Sequence, residues 1–133
     1  MAERITPFLM FEGKAEEAMN FYLSLFPGAR VEKLEHFGPE GPGAEGSVLH
    51  AEFVVDGQRL RVFDSPVHHA FTFTPSISLF VDCASEAEID RLFASLSEGG
   101  QVMMELAEYP FAKKFAWTAD RFGVSWQLSL AAD

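Results

Sequence analysis

The sequence predicts an α+β fold: two βαβββ modules forming a curved mixed β-sheet, with the helices on its outer face. Three observations predict it. Two amphipathic helical stretches are each stopped at glycine, each follows one strand, and each precedes three further strand-like stretches. The two halves also repeat at an offset of about 71 residues, which lays Leu9 on Phe80, Ala18 on Ile89, Tyr22 on Phe93, Leu25 on Leu96 and Gly28 on Gly99. In such a unit one helix covers one face of the sheet. Two units therefore leave two polar-leaning sheet faces.

Bulk properties narrow the function classes. A chain of 133 residues is the size of one domain and can bury a core without crosslinks. Apolar residues make up 48% of it, including 14 Phe, which excludes a disordered chain. The formal charge of −10 argues against nucleic acid and anionic membranes, which select for Lys and Arg. Cys83 is the only cysteine, so neither an intrachain disulfide nor a cysteine-based zinc site is expected. Without a signal-peptide pattern or an apolar run of roughly 20 residues, the expectation is a cytoplasmic protein.

The first module is expected over 4–64, a linker over 65–75 and the second module over 76–130. Ile5 to Phe11 reads as a strand and Lys14 to Phe26 as a helix, whose apolar positions Ala15, Ala18, Met19, Tyr22, Leu25 and Phe26 recur at three- and four-residue spacings. Pro27-Gly28 stops it. Arg30 to Phe37 reads as an edge strand. The segment from Gly38 to Gly46 holds four Gly and two Pro, and reads as a mobile loop, either an inert connector or a lid. Asp56-Gly57 marks a two-residue hairpin turn between Val48–Val55 and Gln58–Asp64. That turn sets Glu52 opposite Arg61. It places Leu49, Ala51, Phe53, Val55, Leu60 and Val62 on one face, and His50, Glu52, Val54, Arg59, Arg61 and Phe63 on the other.

Ser76 to Asp82 reads as a strand with Ile77, Leu79 and Val81 on one side. Ser85 can cap a helix over Glu86 to Ser97, with Glu88 completing a capping box and Ile89, Leu92, Phe93 and Leu96 buried. A strand is expected over Gln101 to Leu106. The chain closes in a hairpin turning at Asp120-Arg121-Phe122-Gly123, with Gly123 suited to positive φ. With Ala119 opposite Val124, the residues Phe115, Trp117, Val124, Trp126 and Leu128 share one face, and Ala116, Thr118, Ser125, Gln127 and Ser129 the other. The polar faces then line a cleft with His50, Glu52, Arg61, Phe63, Ser76, Ser78, Thr118, Ser125, Gln127 and Ser129, or are simply solvated.

Several local motifs resemble one family. Ile5-Thr6-Pro7-Phe8-Leu9, Ala15-Glu16-Glu17-Ala18, Asn20-Phe21-Tyr22 and Leu25-Phe26-Pro27 resemble the first half of the PhnB-like branch of the vicinal oxygen chelate superfamily, the glyoxalase/bleomycin-resistance/dihydroxybiphenyl dioxygenase fold. Ser76-Ile77-Ser78-Leu79, Gly99-Gly100 and Asp120-Arg121-Phe122-Gly123-Val124-Ser125-Trp126-Gln127 resemble its second half. Members often carry the label 3-demethylubiquinone-9 3-methyltransferase. The resemblance implies a homodimer, and an aromatic loop at Tyr109-Pro110-Phe111 near a cavity mouth. It also implies a divalent metal held by His, Glu or Gln from four strands. Those positions here fall on Pro7, Ser76, Arg61 or Phe63, and Gln127. Only Gln127 is a ligand type, and one amide oxygen does not hold a transition metal. A rebuilt site would have to draw on His50, Glu52 and a histidine of His68-His69.

The reading favoured by the sequence is a small-molecule-binding protein without the family metal. Its ligand-binding residues are Arg61, Phe63, Ser76, Ser78, Tyr109 and Gln127. The alternative is an isomerase, lyase or transferase with Glu52 or His50 as general base, against which the Glu52–Arg61 pairing weighs, since a neighbouring cation weakens a carboxylate base. Methyl transfer ranks last, because no glycine-rich turn leads from a strand into a helix. Cys83 reads as a small buried residue.

Overall fold

The computed structural model describes residues 2–133, in two compact units that divide between Ala70 and Phe71. The first holds β1 (Phe8–Phe11), α1 (Ala15–Leu25), β2 (Arg30–His36), β3 (Val48–Val55) and β4 (Gln58–Asp64). The second holds β5 (Ser78–Asp82), α2 (Glu86–Ser97), β6 (Gln101–Tyr109), β7 (Ala112–Ala119) and β8 (Ser125–Leu130). Each builds its own four-stranded mixed sheet, ordered β1-β4-β3-β2 and β5-β8-β7-β6. The first strand runs parallel to the last in each, and the others pair antiparallel. The repeat is therefore real at the level of topology. No helix among the described residues is long and apolar enough to cross a membrane.

The 71-residue offset holds for the helices and for their closing glycines, Gly28 at φ 77° and Gly99 at φ 75°. It fails at the first strand of each half. Leu9 registers beside the buried Val62, whereas Phe80 registers beside Gln127 and is exposed. Strand side chains alternate, so Leu9 and Phe80 lie on opposite kinds of face.

Each unit starts its helix with a different device. At α1 the buried Asp64, at the end of β4, accepts from Gly13 N at 2.7 Å and Ala15 N at 3.0 Å through Oδ1, and from Val48 N at 2.8 Å through Oδ2. One carboxylate thus answers orphan amides at the helix start and anchors β3. At α2 the expected capping box forms: Ser85 Oγ accepts from Glu88 N at 3.2 Å, and Glu88 Oε1 accepts from Ala84 N at 2.8 Å. The apolar stripes of both helices fill the cores. Ala15, Ala18, Met19, Tyr22 and Leu25 are buried in α1, and Ile89, Leu92 and Leu96 in α2, with Phe93 at the margin. α1 packs on β3 and β4, and α2 on β6, β7 and β8.

The β3–β4 hairpin has the anticipated register, Val55 beside Gln58, Phe53 beside Leu60 and Glu52 beside Arg61. Asp56 and Gly57 both take positive φ, as this two-residue turn requires. Leu49 departs from the expected burial. Between Glu35 and His36 the β2–β3 register slips, because β3 spends an extra residue at Leu49. The bulge turns Val48 into the core and leaves Leu49 exposed.

Three further expectations are corrected. Pairing of β5 starts only at Ser78, beside Ser125, so Ile77 lies outside the strand and is exposed. β6 runs on past Leu106 to Tyr109, which pairs with Ala112 across Pro110-Phe111. Most consequential is the last hairpin, where Ala119 pairs with Ser125 and not with Val124. Asp120 N donates to Val124 O at 2.8 Å and Gly123 N to Asp120 O at 2.9 Å, so three residues, Arg121, Phe122 and Gly123, lie in the loop. Gly123, at φ 91°, supplies the left-handed residue of such a loop. The added loop residue exchanges the faces of β8 relative to β7. Ala116, Thr118, Trp126, Leu128 and Leu130 consequently lie together in the core, while Phe115, Trp117, Ser125, Gln127 and Ser129 share the other face.

The glycine-rich segment 38–46 is stapled at its base. Phe37 N donates to Ser47 O at 2.8 Å and Gly46 N to Phe37 O at 3.0 Å. The buried Phe37 ring lies against Gly43, where a Cβ would collide with it.

Candidate functional site

Each sheet has a face its own helix does not cover, and those two faces carry the residues able to do chemistry. On the second sheet, β8 lies between β5 and β7. Gln127 registers beside Phe80 on one side and Trp117 on the other, and Ser125 beside Ser78. The polar atoms form one network. Ser125 Oγ accepts from Trp117 Nε1 at 2.9 Å and shares a 2.7 Å hydrogen bond with Ser78 Oγ, which accepts from Gln127 Nε2 at 3.2 Å. Donation through Nε2 turns the Gln127 carbonyl away from Ser78. That bond does not use Oε1, the amide's acceptor, which can therefore meet a ligand donor. Phe80 lies beside Gln127 in register, 6.4 Å from the Phe115 ring, and Tyr109 and Phe111 meet Phe115 edge-on at 5.9 and 5.0 Å.

Among the residues expected at a cleft, Ser78, Ser125, Gln127 and Ser129 take that face, and Thr118 does not. Thr118 is fully buried on the helix side and donates to Gln101 O at 3.1 Å, a consequence of the hairpin register. Ser76 precedes β5, is exposed, and shares its hydroxyl with Thr74 at 2.7 Å. Tyr109 stands at the end of β6, stacked on Phe111 at 5.6 Å, its hydroxyl donating to Glu105 O. Phe80, Phe115 and Trp117 are additions to the sequence-level set. The extra residue in the Asp120 loop moves Trp117 and Phe115 to this face, where Trp117 is partly exposed and Phe115 stays buried at 5% exposure.

On the first sheet the uncovered face carries His50, Glu52, Arg59, Arg61, Phe63 and Phe8. Glu52 is the hub: Arg59 Nη1 donates to Oε2 and Arg61 Nε to Oε1, the latter at 2.9 Å. The Arg61 hydrogen bond holds the Glu52 carboxyl below its usual range; burial opposes it, and the Arg59 hydrogen bond adds to the lowering. Such a carboxylate is a weak general base. Phe8, beside Arg61 in register, stacks on Phe63 at 4.8 Å and meets His50 edge-on at 6.4 Å.

The residues do not fit the divalent metal that the superfamily implies. Pro7 has no donor side chain and its carbonyl accepts from Arg61 N at 3.0 Å. Arg61 is a cation and Phe63 has no donor. A rebuilt site fares no better, since Glu52 is shared by two guanidinium groups, His68 Nδ1 meets Glu12 Oε1 at 2.8 Å, and His69 Nε2 meets Ser65 Oγ at 2.9 Å. Among the described residues no group of three or more His, Cys, Asp or Glu is placed to hold a metal ion. The helix starts are also spoken for. A phosphate-bearing cofactor is commonly held at a helix N-terminus, and here Asp64 occupies that of α1 and Ser85 with Glu88 that of α2.

Comparison with known proteins agrees with this topology. Residues 3–129 match the family model described as 3-demethylubiquinone-9 3-methyltransferase. A PhnB protein from Bacillus cereus, described with the same methyltransferase name, is 53% identical; the match covers 97% of this chain and all of that one, with a TM-score of 0.95. Protein PA1353 from Pseudomonas aeruginosa is 32% identical over 99% of this chain and all of its own, with a TM-score of 0.81. The fosfomycin resistance protein FosX from Listeria monocytogenes shares the fold at 11% identity, with 99% and 95% of the two chains covered and a TM-score of 0.60. With its two βαβββ units, the chain belongs to the 3-demethylubiquinone-9 3-methyltransferase family, a PhnB-like branch of the vicinal oxygen chelate superfamily.

Proposed function

We propose that this protein binds a small organic molecule on the uncovered face of its second sheet, with no step routed through the superfamily metal. The single observation that carries this is the Gln127–Ser78–Ser125–Trp117 network, polar groups fixed beside the exposed Phe80. Small-molecule sites are mostly apolar with a few fixed polar groups, and this face has that composition. Gln127 Oε1 accepts a ligand donor, and Phe80, 55% exposed and backed by the buried Phe115, contacts the ligand body. Methyl transfer ranks below this reading, because no glycine-rich turn leads from a strand into a helix. The homodimer expected from the family goes with this reading, and sedimentation at micromolar concentration checks it.

The two tryptophans provide the test. Trp117 lies on the proposed face, whereas Trp126 is in the core with its indole bonded to Asp120. In a fragment screen followed by two-dimensional NMR of the indole N–H groups, binders are expected to move the Trp117 signal and leave that of Trp126 in place. Gln127→Ala is expected to weaken those binders several-fold. A screen in which no fragment shifts Trp117 at millimolar concentration sinks the proposal.

A further inference from the structure

We infer that the first sheet recognises the carboxylate-type head of an organic anion with Arg61, the ligand's flat apolar body resting on Phe8, which Phe63 backs. The inference takes its small-molecule ligand from the reading above, but stands on residues of the other sheet.

Charge supplies the first support. Arg59 and Arg61 both donate to Glu52, so two cations share one carboxylate and one positive charge is left over. In a chain of formal charge −10, that excess is a local exception. A cross-strand pair serving only the sheet needs one cation, not two.

Geometry supplies the second. Glu52 is the buried partner, its side chain 13% exposed, while that of Arg61 is 43% exposed. Arg61 meets Glu52 through Nε at 2.9 Å, a contact that does not use the Nη groups of its planar fork. A guanidinium held at Nε keeps its plane fixed and presents two parallel N–H groups, the arrangement that receives a carboxylate bidentately. Little rotamer freedom then remains to be lost on binding.

The third support is apolar. Phe8 registers directly beside Arg61, so both project from the same face, and Phe8 is 57% exposed. It stacks on Phe63 with centroids 4.8 Å apart and an interplanar angle of 26°, so Phe63 backs Phe8 and holds an exposed ring next to the cation. A cation beside an exposed ring matches an aromatic acid better than an inorganic anion or a neutral hydrocarbon. Arg61 is thus a binding residue, while Glu52 and Arg59 are positioning residues that fix its plane.

Calorimetric titration with 2-naphthoate and its neutral isostere 2-naphthamide, at low and moderate salt, tests this. Naphthoate is expected to bind at least tenfold tighter than the amide, with the advantage shrinking as salt rises. Arg61→Gln is expected to erase the difference, and Arg61→Lys, which keeps the charge but loses the fork, to restore only part of it. Should Arg61→Gln unfold, Phe8→Ala changes an exposed ring and is expected to weaken naphthoate several-fold without altering the melting temperature. Equal binding of acid and amide, or discrimination that survives Arg61→Gln, overturns the inference while leaving the small-molecule reading intact. Failure of naphthoate to bind also overturns it, and the Trp117 screen then decides separately whether any small molecule is bound.

Discussion

Trp126 Nε1 donates to Asp120 Oδ2 at 2.9 Å, and the other oxygen of the same carboxylate accepts from Phe122 N at 2.9 Å and Val124 N at 3.1 Å. A turn residue is thereby bonded to the largest side chain of the second core. Loop geometry and core packing are set by one buried group.

Replacing Asp120 by Ala removes all three acceptor contacts and strands buried donors. A buried hydrogen bond to a charged group is worth about 1.5–3 kcal/mol, and the contacts are not additive, so a loss of roughly 3–5 kcal/mol is expected. Urea unfolding followed by tryptophan fluorescence measures it. A loss below 1 kcal/mol would show that water takes over the role of the carboxylate.

Gly100 and Gly43 form a contrasting pair. A Cβ on Gly100 would strike the Ala119 carbonyl, which is backbone, whereas one on Gly43 would strike the Phe37 ring. Gly100→Ala is expected to cost about 1–3 kcal/mol through overpacking, and Gly43→Ala less, because a ring can shift. Thermal melts of both variants give the order, and the reverse order would contradict it.

The pH dependence of stability has an acid limb set partly by Glu52. Its folded-state pKa is lowered, first by Arg61, so its ionised form is favoured by folding. That contribution is fully present above the ordinary value of 4.5 and fades as the pH falls through the lower folded value. Glu52→Gln is expected to be less stable than the parent at pH 6, with the gap closing towards pH 3. Melting temperatures across that range check it; a constant gap would assign the effect to packing.

At the other end, burial pushes the Cys83 thiol up to about 11 from 9.0. The thiolate fraction at pH 8 is then lower by a factor of about 100, and iodoacetamide labelling of the folded protein should slow accordingly. A thiol whose pKa is raised by folding stabilises below the unfolded value, so this contribution is lost as the pH climbs from 9.0 to about 11. Labelling at the rate of an unfolded control would refute the buried state.

Where a local turn fixed the register, the fold was legible. Asp56-Gly57 admits only one hairpin, and Ser85 with Glu88 bounds α2. Two single-residue insertions were not legible. The residue at Leu49 and the third loop residue before Val124 leave no compositional mark, yet each exchanges two faces. Hence the sequence places Arg61, Phe63, Ser78 and Gln127 on the correct faces, but puts Thr118 and Ser76 on a cleft face they do not take and leaves Trp117 and Phe115 off it. Hydrogen-bond partners such as Asp64 with Val48, 16 residues away, depend on how the sheet closes and carry no local signal.

Asp64 and Asp120 also bear on how the two halves differ. The first half spends its buried carboxylate joining β4 to the start of α1, and the second spends its own on closing β7 to β8. Identical halves would share one lock, and these two do not. A chimera that doubles either half would repeat one lock and lose the other. The modules are alike in plan but are not interchangeable parts.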